Sequence, residues 1–256
     1  MLFFVLGAVF GSFANVLIYR LPQKIPFAKE RSVCTSCNHI LGFIDLIPIL
    51  SYFFLRGRCR FCKARFSFSY PLVEVLVAVL FLGSYVFFGL YSAIFVAFLL
   101  FLLVVVAVID FHTQDIYDSF VVLLFVFGLA WVLLQHFFPG VFPHAPHLMS
   151  AVIGFFVGGL PLLVIDRLCL FFLKKDGFGY GDVKLMFAVG VFLGWQLTVL
   201  AFFLAFVGGG LIAGTLMATG KLKRGVYIAF GPFLVIGTII SLFFGREIIN
   251  FYTSFL

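Results

Sequence analysis

Four of the five cysteines fall into two pairs of the form CxxC, Cys34-Thr-Ser-Cys37 and Cys59-Arg-Phe-Cys62, with 21 residues between them. Two such knuckles can present four thiolates at tetrahedral geometry, which suits Zn2+. A closed four-thiolate site leaves no position for a substrate, so the metal would hold structure and take no part in chemistry. A thiol–disulfide couple is the alternative, but it ordinarily uses one CxxC. Cys169 stands alone in an apolar run and reads as a small apolar residue.

The second chemical resource is carboxylate. Only ten acidic residues occur in 256. Asp110 closes the apolar run Leu102 to Ile109, Asp182 follows Gly179-Tyr180-Gly181, and Glu74 lies one turn into another apolar run. Ionisable groups at membrane depth are costly and mark functional sites by default. Two carboxyls close enough to share a proton can divide the work of peptide hydrolysis. One takes a proton from water while the other, protonated, polarises the carbonyl. Gly179 and Gly181 would let a peptide backbone approach Asp182. The plainer reading makes both aspartates helix caps or interfacial groups, and Asp182 suits a helix start. Asp115 and Asp118 read as solvated, Asp166 as a local partner of Arg167, and Asp176 as part of a polar loop. Glu30 and Asp45 belong to the cysteine loop and Glu247 to the C-terminal tail.

These groups must be positioned by membrane helices. Hydrophobic residues make up 64% of the chain and charged residues 11%, with 40 phenylalanines, more apolar surface than one soluble core of this size could hide. The first apolar run lacks the basic start and small-residue cleavage site of a removable leader. A crossing needs about 20 apolar residues. The sequence offers spans at roughly 2–19, 71–90, 91–109, 118–138, 148–173, 183–197, 198–219 and 227–245, the long stretch after 183 being divided near Gly194-Trp195. The expected fold is an all-α polytopic bundle of about eight transmembrane helices with a small cytoplasmic zinc-binding loop domain. Its divisions are a first helix (1–20), the loop domain (21–70), the second and third helices (71–109) and a membrane bundle (110–256). No internal repeat is evident.

The formal charge of +7 could suggest nucleic acid, but its distribution argues for topology. Arg20 to Arg65, Arg167, Lys174, Lys175, Lys184, Lys221, Lys223 and Arg224 share one face, leaving Arg246 alone on the other. By the positive-inside rule the shared face is cytoplasmic, and Asp110 and Asp182 sit at that edge.

The ordered motifs resemble those of bacterial type IV prepilin peptidases, bifunctional leader peptidases and N-methyltransferases of the GxGD aspartyl protease group. The resemblance runs from Gly11-Ser12-Phe13-Ala14-Asn15 through Leu21-Pro22, the two CxxC pairs, Ile47-Pro48-Ile49-Leu50-Ser51-Tyr52 and Tyr70-Pro71-Leu72-Val73-Glu74. It continues in Ile109-Asp110, Gly179-Tyr180-Gly181-Asp182-Val183-Lys184-Leu185 and Phe230-Gly231-Pro232. It implies that Asp110 and Asp182 are the catalytic pair, with Gly179, Gly181 and Lys184 as motif support. Two departures stand out: Tyr117 where the family has proline, and Ala229 where proline precedes Phe-Gly-Pro. Asp118 occupies the motif's second acidic position and is a reserve candidate.

The resemblance further implies a prepilin or pseudopilin substrate, cut after a glycine at the cytoplasmic side of a bacterial inner membrane. The new N-terminus would then be methylated from S-adenosylmethionine. No glycine-rich dinucleotide turn points to that cofactor, so the residues that hold it stay unassigned. Glu74 could assist there, bind the substrate amine, or pair with a loop arginine. Two other readings use the same residues: a proton-coupled transporter relaying through Asp110, Glu74 and Asp182, and a non-catalytic scaffold docking partners through its zinc loop.

Overall fold

Apolar runs with no internal charge satisfy their own backbone hydrogen bonds only as helices when water is absent, and the chain is built accordingly. The structure is a computed structural model that describes residues 1–26, 31–174, 177–220 and 228–255, with the side chain of Leu173 excepted. Lys29, Glu30, Lys175, Asp176, Lys221, Lys223 and Arg224, which the sequence reading used, lie outside those residues. The chain divides into two compact units, Met1–Val105 and Val106–Leu256.

The elements are α1 (Leu2–Arg20), α2 (Leu50–Phe54), α3 (Ser69–Thr113), α4 (Asp118–Phe137), α5 (Leu148–Leu173), α6 (Tyr180–Leu193), α7 (Trp195–Ala218) and α8 (Gly231–Thr253). Six of them, all but α2 and α6, are long and apolar enough to cross a membrane. Helix α3 has 45 residues, about twice the ~20 a crossing needs, and breaks at Gly89 (φ 72°, ψ 175°). The second and third expected spans are thus two helices that meet at Gly89, beside the division expected between 90 and 91. Helix α6 has 14 residues, roughly 21 Å of rise, short of the ~30 Å hydrocarbon layer.

Several expected boundaries move. The sixth and seventh spans run 180–193 and 195–218 instead of 183–197 and 198–219, because Gly194 (φ 75°, ψ 171°) ends one helix and starts the next. An L side chain is disfavoured at that backbone angle, so the break falls on the glycine itself. The last span starts at Gly231, with Pro232 in the first turn where its missing N–H costs nothing, and runs on past Arg246 and Glu247 to Thr253. Tyr117 precedes α4 with φ −71° and ψ 127°, within the range proline would impose. The tyrosine therefore starts the helix as the family's proline would.

In the first unit, Asn15 Nδ2 donates to the Tyr70 carbonyl at 3.0 Å and the rings of Phe10 and Phe81 lie 5.4 Å apart, fixing α1 against the start of α3. Arg20 donates to the carbonyls of Pro26 and Arg31 at 3.2 and 3.0 Å, tying down the loop that follows. In the second unit, α5 and α6 meet backbone to backbone. A Cβ on Gly154 would lie 2.9 Å from Gly194 Cα, and one on Gly190 2.7 Å from the Gly154 carbonyl carbon. Small residues permit such close packing in a membrane, where lipid offers no hydrophobic drive between helices. Trp131 of α4 stacks on Phe192 of α6 at 5.4 Å, and Ser241 of α8 donates to the Leu197 carbonyl of α7 at 2.6 Å. Arg246 reaches the His144 carbonyl at 3.5 Å, so it lies by the loop between α4 and α5.

Candidate active site

Asp110 lies in the last turn of α3 and Asp182 in the first turn of α6. Both are buried, at 5% and 8% exposure. They converge on the first residue of α8. The Gly231 amide donates to Asp110 Oδ2 at 3.1 Å. A Cβ placed on Gly231 would stand 2.5 Å from Asp110 Oδ2 and 3.4 Å from Asp182 Oδ1, so the two oxygens are separated by no more than the sum of those distances. Gly231 leaves room for both carboxyls, a part its place in Phe-Gly-Pro did not disclose.

The environments of the two aspartates differ. Asp110 has a backbone N–H to answer a negative charge. Among the described residues Asp182 Oδ1 is buried without a hydrogen-bond partner. Two carboxyls so placed do not ionise independently.

The turn bearing Asp182 is held from below. Asp166, in α5 and 4% exposed, accepts from the amides of Gly177 and Phe178 at 3.1 and 3.4 Å. It is a brace for the glycine turn and not the local partner of Arg167. Arg167 instead donates to the Tyr180 hydroxyl, its guanidinium 5.5 Å from that ring's centre. Cys169 is half-buried, and its Sγ would lie 2.9 Å from a Cβ on Gly177. The two motif glycines do different things. A Cβ on Gly179 would meet only Asp182 Oδ2 at 3.5 Å and the Gly181 amide nitrogen at 4.0 Å, so that side is open. A Cβ on Gly181 would strike Ile116 at 2.8 Å, so Gly181 serves packing.

Lys184 and Asp118 pair at 2.8 Å with both ends exposed, joining α6 to the start of α4. An open cavity of about 470 Å³ lies above the aspartates, lined by Asp110, Asp115, Tyr117, Gly179, Tyr180 and Asp182 among others. It is large enough for several residues of an extended peptide, and the two buried carboxyls line it.

Glu74 is elsewhere, in the first unit. Its Oε2 accepts the Ile49 amide at 2.7 Å, so its partner is a backbone amide and not a loop arginine. Ile49 holds φ 65° and ψ −56° just before α2, a conformation unusual for a β-branched residue and steadied by that bond.

The cysteines form a single cluster. All four Sγ atoms lie within 4.8 Å of one another, with Cys34 and Cys62 Sγ 3.8 Å apart. A tetrahedral Zn2+ with Zn–S of about 2.3 Å spaces its sulfurs by about 3.8 Å, so the donor set fits the metal. The Ser36 amide, pointing at Cys34, is the main influence drawing that thiol down to about 7. The knuckles repeat each other. Cys34 donates its amide to the His39 carbonyl and Cys59 to that of Ala64, at 2.9 and 2.8 Å, with left-handed Asn38 and Lys63 in equivalent places. Bridges Val33–Ile40 and Arg58–Arg65 close the two turns. This short internal repeat is missing from the sequence reading because only the cysteines are shared.

Comparison with known proteins follows the same two-part division. A family profile described as Bacterial Peptidase A24 N-terminal domain matches residues 5–88, and one described as Type IV leader peptidase family matches residues 97–214. A Bacillus subtilis (strain 168) protein named prepilin leader peptidase/N-methyltransferase is 32% identical over 97% of this chain and 96% of its own. The chain belongs to the type IV leader peptidase family. Family relatives of the same name from Pseudomonas putida and Aeromonas hydrophila are 35% and 33% identical, covering 95% and 100% of this chain and 90% and 94% of theirs. No solved structure matches. The aspartate pair, the glycine turn and Gly231 all fall in the second unit, and the cysteine cluster falls within the part matched by the N-terminal family domain.

Proposed function

We propose that this chain is a membrane aspartyl endopeptidase that removes the leader of a type IV prepilin or pseudopilin, using Asp110 and Asp182. The observation that carries this reading is the meeting of two buried carboxyls from separate helices beside Gly231. Asp110, partnered by the Gly231 amide, takes a proton from water, which adds to the scissile carbonyl carbon. Asp182, the protonated member, donates to the carbonyl oxygen. Collapse of the tetrahedral adduct breaks the C–N bond, and the departing amine takes a proton from the pair. The open side at Gly179 admits the peptide backbone. A scissile bond after a glycine suits such a confined site.

Within the second unit, Arg167, Lys174 and Lys184 lie at the end of α5 and α6 that carries the site, and Arg246 lies towards the far end of α8. By the positive-inside rule that face is cytoplasmic in a bacterial inner membrane, and a substrate helix anchored in lipid reaches it by lateral diffusion. Zn2+ held by Cys34, Cys37, Cys59 and Cys62 would fix the loop domain without joining the reaction. The relatives' names also support N-methylation of the newly exposed residue. S-adenosylmethionine supplies the methyl group: the amine lone pair forms the C–N bond, the C–S pair stays on sulfur, and the amine loses a proton.

The test is incubation of purified chain with a prepilin, with and without S-adenosylmethionine, read by N-terminal mass spectrometry. Cleavage after glycine in both reactions, with 14 Da (roughly the mass of one CH2) added only with the donor, supports the reading. An uncut substrate contradicts it.

A further inference from the structure

The segment that joins α1 to α3 carries a patch of apolar side chains that neither the cysteine cluster nor the peptidase reading uses. Phe43 and Ile44 open the 3-10 turn Phe43–Leu46, and Leu50, Phe53 and Phe54 belong to α2, which packs against that turn. Phe43 is 86% and Phe54 82% exposed, and Ile44, Leu50 and Phe53 are each more than half exposed. Leu50, Phe53 and Phe54 stand at i, i+3 and i+4, so they share one face of α2. The opposite face is committed inward. Ser51, Tyr52 and Leu55 line an internal cavity of the first unit, and the Tyr52 hydroxyl donates to the Phe66 carbonyl at 3.4 Å. A contiguous apolar patch of this kind marks a surface that meets protein or lipid.

The position of α2 favours lipid. Its N-cap is Ile49, whose amide donates to Glu74, more than a turn inside α3. Helix α1 flanks α3 at the same depth, where a Cβ on Gly11 would lie 2.6 Å from Glu74 Cα. The start of α2 therefore sits beside the crossing helices, below the level at which the chain leaves them. The Tyr52 ring ties α2 to the same boundary, 6.1 Å from the ring of Phe68, which directly precedes α3. Exposed Arg56 donates its amide to the Phe53 carbonyl, so a cation follows the apolar face at its end. Aromatic groups beside a cation suit the boundary between lipid headgroups and acyl chains.

We infer that α2 and the turn before it form an interfacial element, with Phe43, Ile44, Leu50, Phe53 and Phe54 seated in the lipid leaflet and Arg56 at its phosphates. The leaflet is then a third support for the cysteine loop, beside its tethers α1 and α3. At the depth set by Glu74, lipid already occupies the place next to this face, which leaves a second protein chain the less suited occupant. The inference rests on α1 and α3 crossing the bilayer and is independent of the peptidase reading.

The experiment replaces Phe43, Phe54 or Phe203, one at a time, by photoreactive benzoylphenylalanine in the full chain, in liposomes of phosphatidylglycerol and phosphatidylethanolamine. Irradiated products are weighed by intact mass spectrometry, and thermal unfolding reports that each chain is folded. Phe203, exposed on α7, is the lipid-facing reference. Lipid adducts form at positions 43 and 54 with at least about half the yield at 203, as seating in the leaflet requires. A chain–chain adduct in their place assigns the patch to a second copy and overturns the inference, as does lipid capture at 203 with none at 43 and 54. Hydroxyl-radical labelling of the unaltered chain in the same liposomes is a second readout that needs no substitution. Phe43 and Phe54 stay protected from oxidation; oxidation of both as fast as phenylalanine in an unstructured peptide overturns the inference.

Discussion

The amide of Gly231 donates to Asp110 Oδ2 at 3.1 Å across a sequence separation of 121 residues. That bond joins the end of α3 to the start of α8 beside Asp182, and the absent side chain of Gly231 is what lets both carboxyls occupy the space. A Gly231→Ala protein carries a methyl group 2.5 Å from Asp110 Oδ2. Cleavage then falls by about a hundredfold, the cost of displacing a catalytic group by roughly an ångström. Thermal unfolding and prepilin cleavage measured together separate this from general misfolding.

Asp118 shares the cavity with the pair but its carboxylate is taken by Lys184, and both ends are exposed. Exposed pairs contribute about 1 kcal/mol or less. Asp118→Asn therefore keeps cleavage within about tenfold of the unaltered chain. A loss as deep as that of Asp110→Asn would make Asp118 a member of the machinery.

Asp166 acts through the turn it holds. Asp166→Ala strands the amides of Gly177 and Phe178, at a stability cost of about 1–3 kcal/mol, and lowers kcat about tenfold by loosening Asp182. Asp166→Asn retains an acceptor oxygen and restores most of the activity. Equal loss in both variants would point to a need for the charge itself.

The cysteine cluster is tested by metal analysis. Purified protein should hold about one zinc per chain, and Cys37→Ser should lower that content. Four free thiols with no metal would remove the site.

Much of the architecture is legible because lipid imposes one rule on every apolar run. The bounds of α5 and the break at Gly194 follow from apolar length and glycine placement alone. The end of α8 does not, since Arg246 and Glu247 look like a terminus until Arg246 is seen reaching the His144 carbonyl. Asp110 and Asp182 are conspicuous as rare carboxyls beside apolar runs. Gly231 and Asp166 are hidden, because one works by lacking a side chain and the other through backbone amides 11 and 12 residues on. Neither kind of contact leaves a spacing signature. Glu74 shows the same limit: its partner is the amide of an Ile49 held at positive φ, which no residue type announces.

The central claim is that Asp110 and Asp182 together cut the substrate. The direct measurement is single-turnover cleavage of a prepilin by Asp110→Asn and Asp182→Asn, each confirmed folded by thermal unfolding. Each substitution should reduce the rate by about a thousandfold or more, and the double variant should be scarcely worse than either, as for groups that act as a unit. Normal processing by either single variant would contradict the account.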